Sequence, residues 1–152
     1  MDSNRLEQII DAHGRDSANL LAILQDIQKQ ENYLPRETLK ELAKKLNVPL
    51  SRIYSLATFF ASFSLKERGK HICTVCMGTA CHVRGAPRLV DQVEREFGIK
   101  PGGTTADKKL TLETVNCVGA CALGPLVILD GEYHGNMNSA KLERVLQPLK
   151  KE

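Results

Sequence analysis

Apolar residues recur at helical spacing through the first sixty positions and then shift to the spacing of strands. Leu6, Ile9 and Ile10 share one face of a first helix, with Asp2 or Ser3 as its cap and Gly14 as its stop. Asp16 or Ser17 caps a second helix, in which Leu20, Leu21, Leu24 and Ile27 form the apolar stripe. Pro35 opens a third, with Leu39, Leu42, Ala43 and Leu46 inward and Asn47 near its end. Val48-Pro49 breaks the chain, and a fourth helix runs from about Ser51 through Phe60. Four short helices on short links predict a small bundle.

After Gly69 the pattern changes. Residues 71–75 form a short strand, and Pro87 starts a helix with Leu89, Val90, Val93 and Phe97 on one face and Gly98 as its stop. Leu110, Leu112, Thr114 and Asn116 alternate with Thr111, Glu113 and Val115, which predicts a second strand. Residues 126–129 read as a buried strand, Asp130-Gly131 as a hairpin turn, and residues 132–134 as its return. Ser139 caps a last helix with Leu142, Val145 and Leu146 inward. The order β-α-β-β-β-α makes the second part a compact sheet with helices. The fold class is α+β, with a helical bundle over residues 1–68 and an α/β domain over residues 69–152.

Composition narrows the function classes. A 42% hydrophobic and 26% charged chain of 152 residues is ordinary for a globular protein. No apolar run approaches the length that spans a bilayer, and the N-terminus has no apolar signal-peptide core. The expected compartment is the cytoplasm. A formal charge of +3, with both signs interspersed, gives no electrostatic argument for nucleic acid. Residues 38–54 do resemble a DNA-binding helix-turn-helix, and a metal-bearing regulator binding DNA through residues 38–60 is the alternative reading. A recognition helix needs polar or basic groups on its groove side. This one offers Ser51, Arg52 and Ser55 before running into Leu56, Ala57, Phe59, Phe60 and Phe63, which favours burial against protein.

The five cysteines carry the chemistry. Cys73, Cys76 and Cys81 fall within nine residues, and Cys117 and Cys121 within five. In a reducing compartment such crowding points to metal or redox use. Three readings fit the spacing. Cys76, Cys81, Cys117 and Cys121 supply two thiolates to each iron of a [2Fe–2S] cluster, with Gly78 and Gly119 allowing close backbone approach. Alternatively, Cys73 and Cys76 form a zinc knuckle with Cys117 and Cys121 as partners. In the third reading Cys73 and Cys76 are a redox dithiol, although the helix that such a pair normally opens is delayed here to Pro87.

The run Cys76-Met77-Gly78-Thr79-Ala80-Cys81-His82-Val83-Arg84-Gly85-Ala86, with Cys117-Val118-Gly119-Ala120-Cys121-Ala122-Leu123-Gly124-Pro125 further on, resembles the thioredoxin-like [2Fe–2S] ferredoxin family. Thr111-Leu112-Glu113 and Ala57-Thr58-Phe59-Phe60 are similar to it as well, so the resemblance covers the whole chain. The family includes the 24-kDa subunit of NADH dehydrogenase and the equivalent small subunits of NAD(P)-linked hydrogenases and formate dehydrogenases. The resemblance implies a thioredoxin-like fold from about residue 70 and one [2Fe–2S] cluster on Cys76, Cys81, Cys117 and Cys121. It implies an electron-transfer subunit, itself non-catalytic, in an NAD(P)H-linked complex. A partner subunit would bind FMN and NAD(P), further iron–sulfur subunits would accompany it, and neither nucleic acid nor membrane would be involved. Gly124 stands where the family pattern leads to Ala, and Phe60 where it leads to Tyr. Cys73 lies outside the ligand pattern and reads as a buried strand thiol. His82, next to a ligand, reads as a surface neighbour, and His13, His71 and His134 as ordinary surface or packing residues. The chain has no G-x-G-x-x-G and no G-x-x-x-x-G-K-[ST], hence no nucleotide motif of its own. The Phe59, Phe60 and Phe63 patch on the bundle is the expected docking surface.

Overall fold

The computed structural model describes residues 2–151. Two compact units part after Glu67, Met1–Glu67 and Arg68–Glu152.

The first unit is built from α1 (Ser3–Ala12), α2 (Leu20–Glu31), α3 (Arg36–Leu46) and α4 (Leu50–Phe59). Its core takes Leu6, Ile9 and Ile10 from α1, Leu39 and Leu42 from α3, and Ile53 from α4. The α2 stripe is Leu20, Ile23, Leu24 and Ile27; Leu21, expected inside, is only half-buried. The set 20, 23, 24, 27 keeps the i, i+3, i+4, i+7 rhythm of one helix face, and position 21 is rotated off it. Asp16 caps a short 3₁₀ turn by accepting from the Ala18 amide at 2.8 Å, and α2 itself begins only at Leu20. Asn47 ends α3 in the left-handed conformation. Glu7 pairs with both Lys45 and Arg15, which ties α1 to α3 and to the turn after α1.

Beyond α4 the chain is pinned to α2 through Gln28, which donates to the Ser62 carbonyl and accepts from the Ser64 amide at 2.7 Å. That pinning turns Phe63 inward to 8% exposure, while Phe59 stands 79% exposed and half-buried Phe60 lies between them. The three rings make successive edge-to-face contacts, with centroids 5.0 and 6.2 Å apart. The expected patch of three phenylalanines is therefore corrected: Phe63 belongs to the core and Phe59 alone is fully presented.

The second unit is a four-stranded mixed sheet in the order β2-β1-β3-β4. Strand β1 (His71–Cys76) pairs in parallel with β2 (Leu110–Val115) and antiparallel with β3 (Val127–Leu129), which pairs antiparallel with β4 (Glu132–His134). Asp130 and Gly131 both take positive φ, 51° and 88°, as a two-residue hairpin turn requires. Helices α6 (Ala86–Phe97) and α7 (Ser139–Lys151) supply Leu89, Val93, Leu142 and Leu146 to the core. Two expectations are corrected. A one-turn helix, α5 (Thr79–Val83), occupies what read as open loop before Pro87. The cap of α7 comes from Asn138, whose side chain accepts from the Lys141 amide at 2.9 Å.

Candidate metal centre

Strands β1 and β2 run in the same direction with Cys76 level with Val115, so both C-terminal ends release their loops side by side. Ligands gather outside the carboxyl ends of parallel strands because that is where adjacent loops converge. The Cys76 amide donates to the Leu126 carbonyl at 3.0 Å and the Met77 amide to the Val115 carbonyl at 2.7 Å, which anchors the root of the first loop. Helix α5 then turns Cys81 inward. Cys76 and Cys81 are 3% and 2% exposed, whereas Cys117 and Cys121 are exposed.

The four sulfurs gather at this edge, each close enough to act electrostatically on others of the set. Cys81 contacts Cys76, Cys76 contacts Cys117, and Cys117 lies 3.9 Å from Cys121. The two irons of a [2Fe–2S] cluster each take a pair of thiolates, and the two loops supply two pairs.

Cys73 stands apart from this set. Residues i and i+3 of a strand point to opposite faces, so Cys73 and Cys76 share neither a zinc knuckle nor a dithiol. Cys73 is fully buried in the sheet core, and burial, followed by the charge on Asp130, pushes its thiol up to about 12.

Backbone amides meet the sulfurs where anionic sulfur would sit. The Gly119 amide donates to Cys117 Sγ at 3.3 Å. Burial pushes the Cys76 thiol up, but the Gly78 and Val118 amides and the Cys81 and Cys117 thiols outweigh it and leave Cys76 below the ordinary thiol value. Burial and then the contact with Cys76 raise Cys81, while contact with Cys117 raises Cys121. N–H donors of this kind stabilise thiolate ligands and the charge they share with a cluster.

The glycines leave room for it. A Cβ at Gly78 would meet the Asn116 carbonyl oxygen at 2.6 Å and Cys117 Cβ at 3.3 Å, so only glycine lets the two loops lie this close. A Cβ at Gly124 would meet Cys81 Sγ at 3.0 Å. An all-thiolate donor set, inward amides and a side-chain-free cradle fit an anionic iron–sulfur group.

His82 is exposed beside these sulfurs; His13 pairs with Asp26 at 2.7 Å and His71 with Asp130 at 2.6 Å. Arg84 reaches from the end of α5 to the Cys121 and Gly124 carbonyls, a contact spanning 37 and 40 residues that no local pattern announces. On α4, Arg52 is the one cation, and the Ser55 and Thr58 hydroxyls donate back to the helix carbonyls of Ser51 and Tyr54. No helix among the described residues is long and apolar enough to cross a membrane.

The family model described as thioredoxin-like [2Fe–2S] ferredoxin matches residues 6–150. The chain is 32% identical over 139 residues to the HndA component of the NADP-reducing hydrogenase of Solidesulfovibrio fructosivorans, covering 91% of this chain and 81% of that one. It is 35% identical over 135 residues to a component of the NADH-quinone oxidoreductase of Rickettsia felis, covering 88% and 80%. A crystal structure of an NAD⁺-reducing [NiFe]-hydrogenase in the air-oxidized state matches with a TM-score of 0.78 at 22% identity, over 88% of this chain. The match spans 23% of that hydrogenase chain and is a likeness of fold. The α+β architecture, helices followed by a thioredoxin-like sheet unit, is the one the sequence resemblance implied.

Proposed function

The chain belongs to the thioredoxin-like [2Fe–2S] ferredoxin family, and from that premise we propose that it is the electron-transfer subunit of a multisubunit NAD(P)-linked oxidoreductase. The complex is of the NADH dehydrogenase, hydrogenase or formate dehydrogenase type. Cys76 and Cys81 hold one iron of a [2Fe–2S] cluster and Cys117 and Cys121 the other. When bound, such a cluster supplies one-electron transfer. The observation that carries this reading is the gathering of two thiol pairs at the ends of two parallel strands, met by backbone amides.

The residues of the chain divide the remaining work. Cys76 and Cys81 are buried and exclude water from one side of the site, while Cys117 and Cys121 face solvent and leave the other side open to an electron partner. Amides at Gly78, Val118 and Gly119 set the charge balance on the sulfurs. The chain carries no nucleotide motif, so flavin and nicotinamide belong to a partner subunit. Phe59, exposed at the end of α4 and braced edge-on by Phe60, anchors that partner on the helical unit. Phe59→Ala is expected to retain the cluster and lose co-purification of the flavoprotein; unchanged co-purification moves the docking site elsewhere.

The deciding experiment is iron and acid-labile sulfide analysis with EPR on anaerobically purified protein. About two irons and two sulfides per chain, silent when oxidised and giving an S = ½ signal after dithionite, are expected. One zinc without sulfide overturns the reading.

A further inference from the structure

We infer that Arg84 is a positioning residue: its guanidinium locks the second cysteine loop onto the first and so holds the two thiol pairs in register. The inference rests on the ligand set proposed above. Arg84 ends α5, three residues after Cys81, and Nη1 donates to two carbonyls, that of Cys121 at 3.2 Å and that of Gly124 at 3.2 Å. Both acceptors belong to the 3₁₀ turn Cys121–Leu123 and its cap, the segment that presents Cys121.

That turn has little else to hold it. No residue from 117 to 123 is buried, and Val118 and Ala120 only lean on the core. Its backbone bonds are chiefly its own, Leu123 amide to Ala120 carbonyl at 3.0 Å and Gly124 amide to Cys121 carbonyl at 3.2 Å. Among the described residues, the backbone links that leave it are from the Asn136 amide to the Leu123 carbonyl at 2.7 Å and, at the start of the loop, from the Val118 amide to the Cys76 sulfur. A loop without an apolar anchor opens easily, and a charged donor bridging two carbonyls restrains it.

Gly124 lies where the two loops and the guanidinium meet. The point where its Cβ would stand is 3.0 Å from Cys81 Sγ, 3.3 Å from the Cys121 carbonyl oxygen and 3.6 Å from Arg84 Nη1. The guanidinium, a sulfur of the first loop and a carbonyl of the second therefore crowd around one vacant site. The same placement sets a fixed positive charge beside the thiols.

Amide hydrogen exchange on the full-length chain after cluster removal tests the clamp without reference to the cluster. In Arg84→Gln the Leu123 and Gly124 amides are expected to exchange about tenfold faster, the factor of one charge-assisted hydrogen bond partly screened by solvent. Amides of β1 and α6 stay unchanged; uniform acceleration, or none, overturns the clamp. On the loaded chain, Arg84→Gln releases iron to a chelator about tenfold faster and shifts the midpoint potential to more negative values, since a nearby positive charge is lost. Arg84→Lys keeps the charge, so it restores the potential but only part of the retention. Wild-type potential and release in Arg84→Gln overturn the proposal. If Arg84→Gln does not fold, Arg84→Lys, whose single ammonium cannot reproduce the guanidinium geometry, must give a smaller acceleration confined to the same amides, its absence overturning the clamp. Confined acceleration in a chain that never carries iron or sulfide upholds the clamp and overturns the cluster reading instead.

Discussion

Replacing Gly78 by Ala tests whether the metal centre depends on the close approach of its two loops. The added methyl carbon would stand 2.6 Å from the Asn116 carbonyl oxygen, 3.3 Å from Cys117 Cβ and 3.5 Å from Cys117 Cα. Ordinary contact between such atoms begins near ~3.4 Å, so roughly 0.8 Å of movement is needed. No flexible side chain can absorb it, because the obstructing oxygen is backbone. That backbone follows β2 directly, and the Met77 amide bonded to the Val115 carbonyl at 2.7 Å holds the loops together from behind. Overpacking of this kind costs about 1–3 kcal/mol, and the displacement falls between Cys76 and Cys117, where the two thiol pairs meet. A cost of about 2 kcal/mol corresponds to roughly thirtyfold in local opening. The assay pairs chemical denaturation of the cluster-free chain with the rate of iron release to a chelator from the loaded chain. Gly119→Ala is the control. Nothing lies within 4 Å of its Cβ position, so its φ of +82° is the sole penalty, about 1 kcal/mol. Gly78→Ala with wild-type midpoint and iron release refutes the steric argument. A larger effect from Gly119→Ala would mean that backbone conformation, and not close approach, is what requires glycine in these loops.

Other expectations follow from the same structure. Cys73→Ala retains iron and sulfide, whereas Cys121→Ser loses them; loss of the cluster from the first would bring Cys73 into the ligand set. With its thiol pushed up to about 12, Cys73 stays protonated through neutral pH, so alkylation of the native cluster-free chain marks Cys117 and Cys121 first and Cys73 only on unfolding. Peptide mapping that finds Cys73 modified as fast as Cys117 contradicts this. Hydrogen bonds from Lys45 and then Arg15 lower the Glu7 pKa in the folded state. Its contribution is therefore present above the unfolded carboxylate value, about 4.3, and is lost as pH falls through the lower folded value. Relative to Glu7→Gln, the wild-type chain should lose its stability advantage on acidification below about pH 5, read as helix content against denaturant. An advantage independent of pH rules out the Glu7 network as its source.

Much of the fold is legible because its causes are local. The apolar rhythm of α1, α3 and α6, the left-handed ends at Asn47 and Gly98, and the Asp130-Gly131 turn are set by residues within a few positions of each other. The failures are also physical. Helix α5 is five residues long, too short for a periodic signal, and Asn138 rather than Ser139 caps α7 because either side chain can cap and the entry angle of the chain chooses. Phe63 looked like part of an exposed patch because nothing near it in sequence reveals that Gln28, more than thirty residues away, pins the following backbone.

By itself the sequence determined the longer helices and the strands, the α+β class and the two cysteine loops that carry the chemistry, since each depends on neighbours along the chain. The tertiary structure alone decided how those loops meet. The parallel pairing of β1 with β2 brings Cys76 level with Val115 and places Cys117 just beyond. The pleat of β1 sets Cys73 apart from Cys76, and the vacant Cβ positions of Gly78 and Gly124 admit a backbone oxygen, a sulfur and the Arg84 guanidinium. These are contacts between residues about forty positions apart, chosen by the register of a sheet and the space available within it.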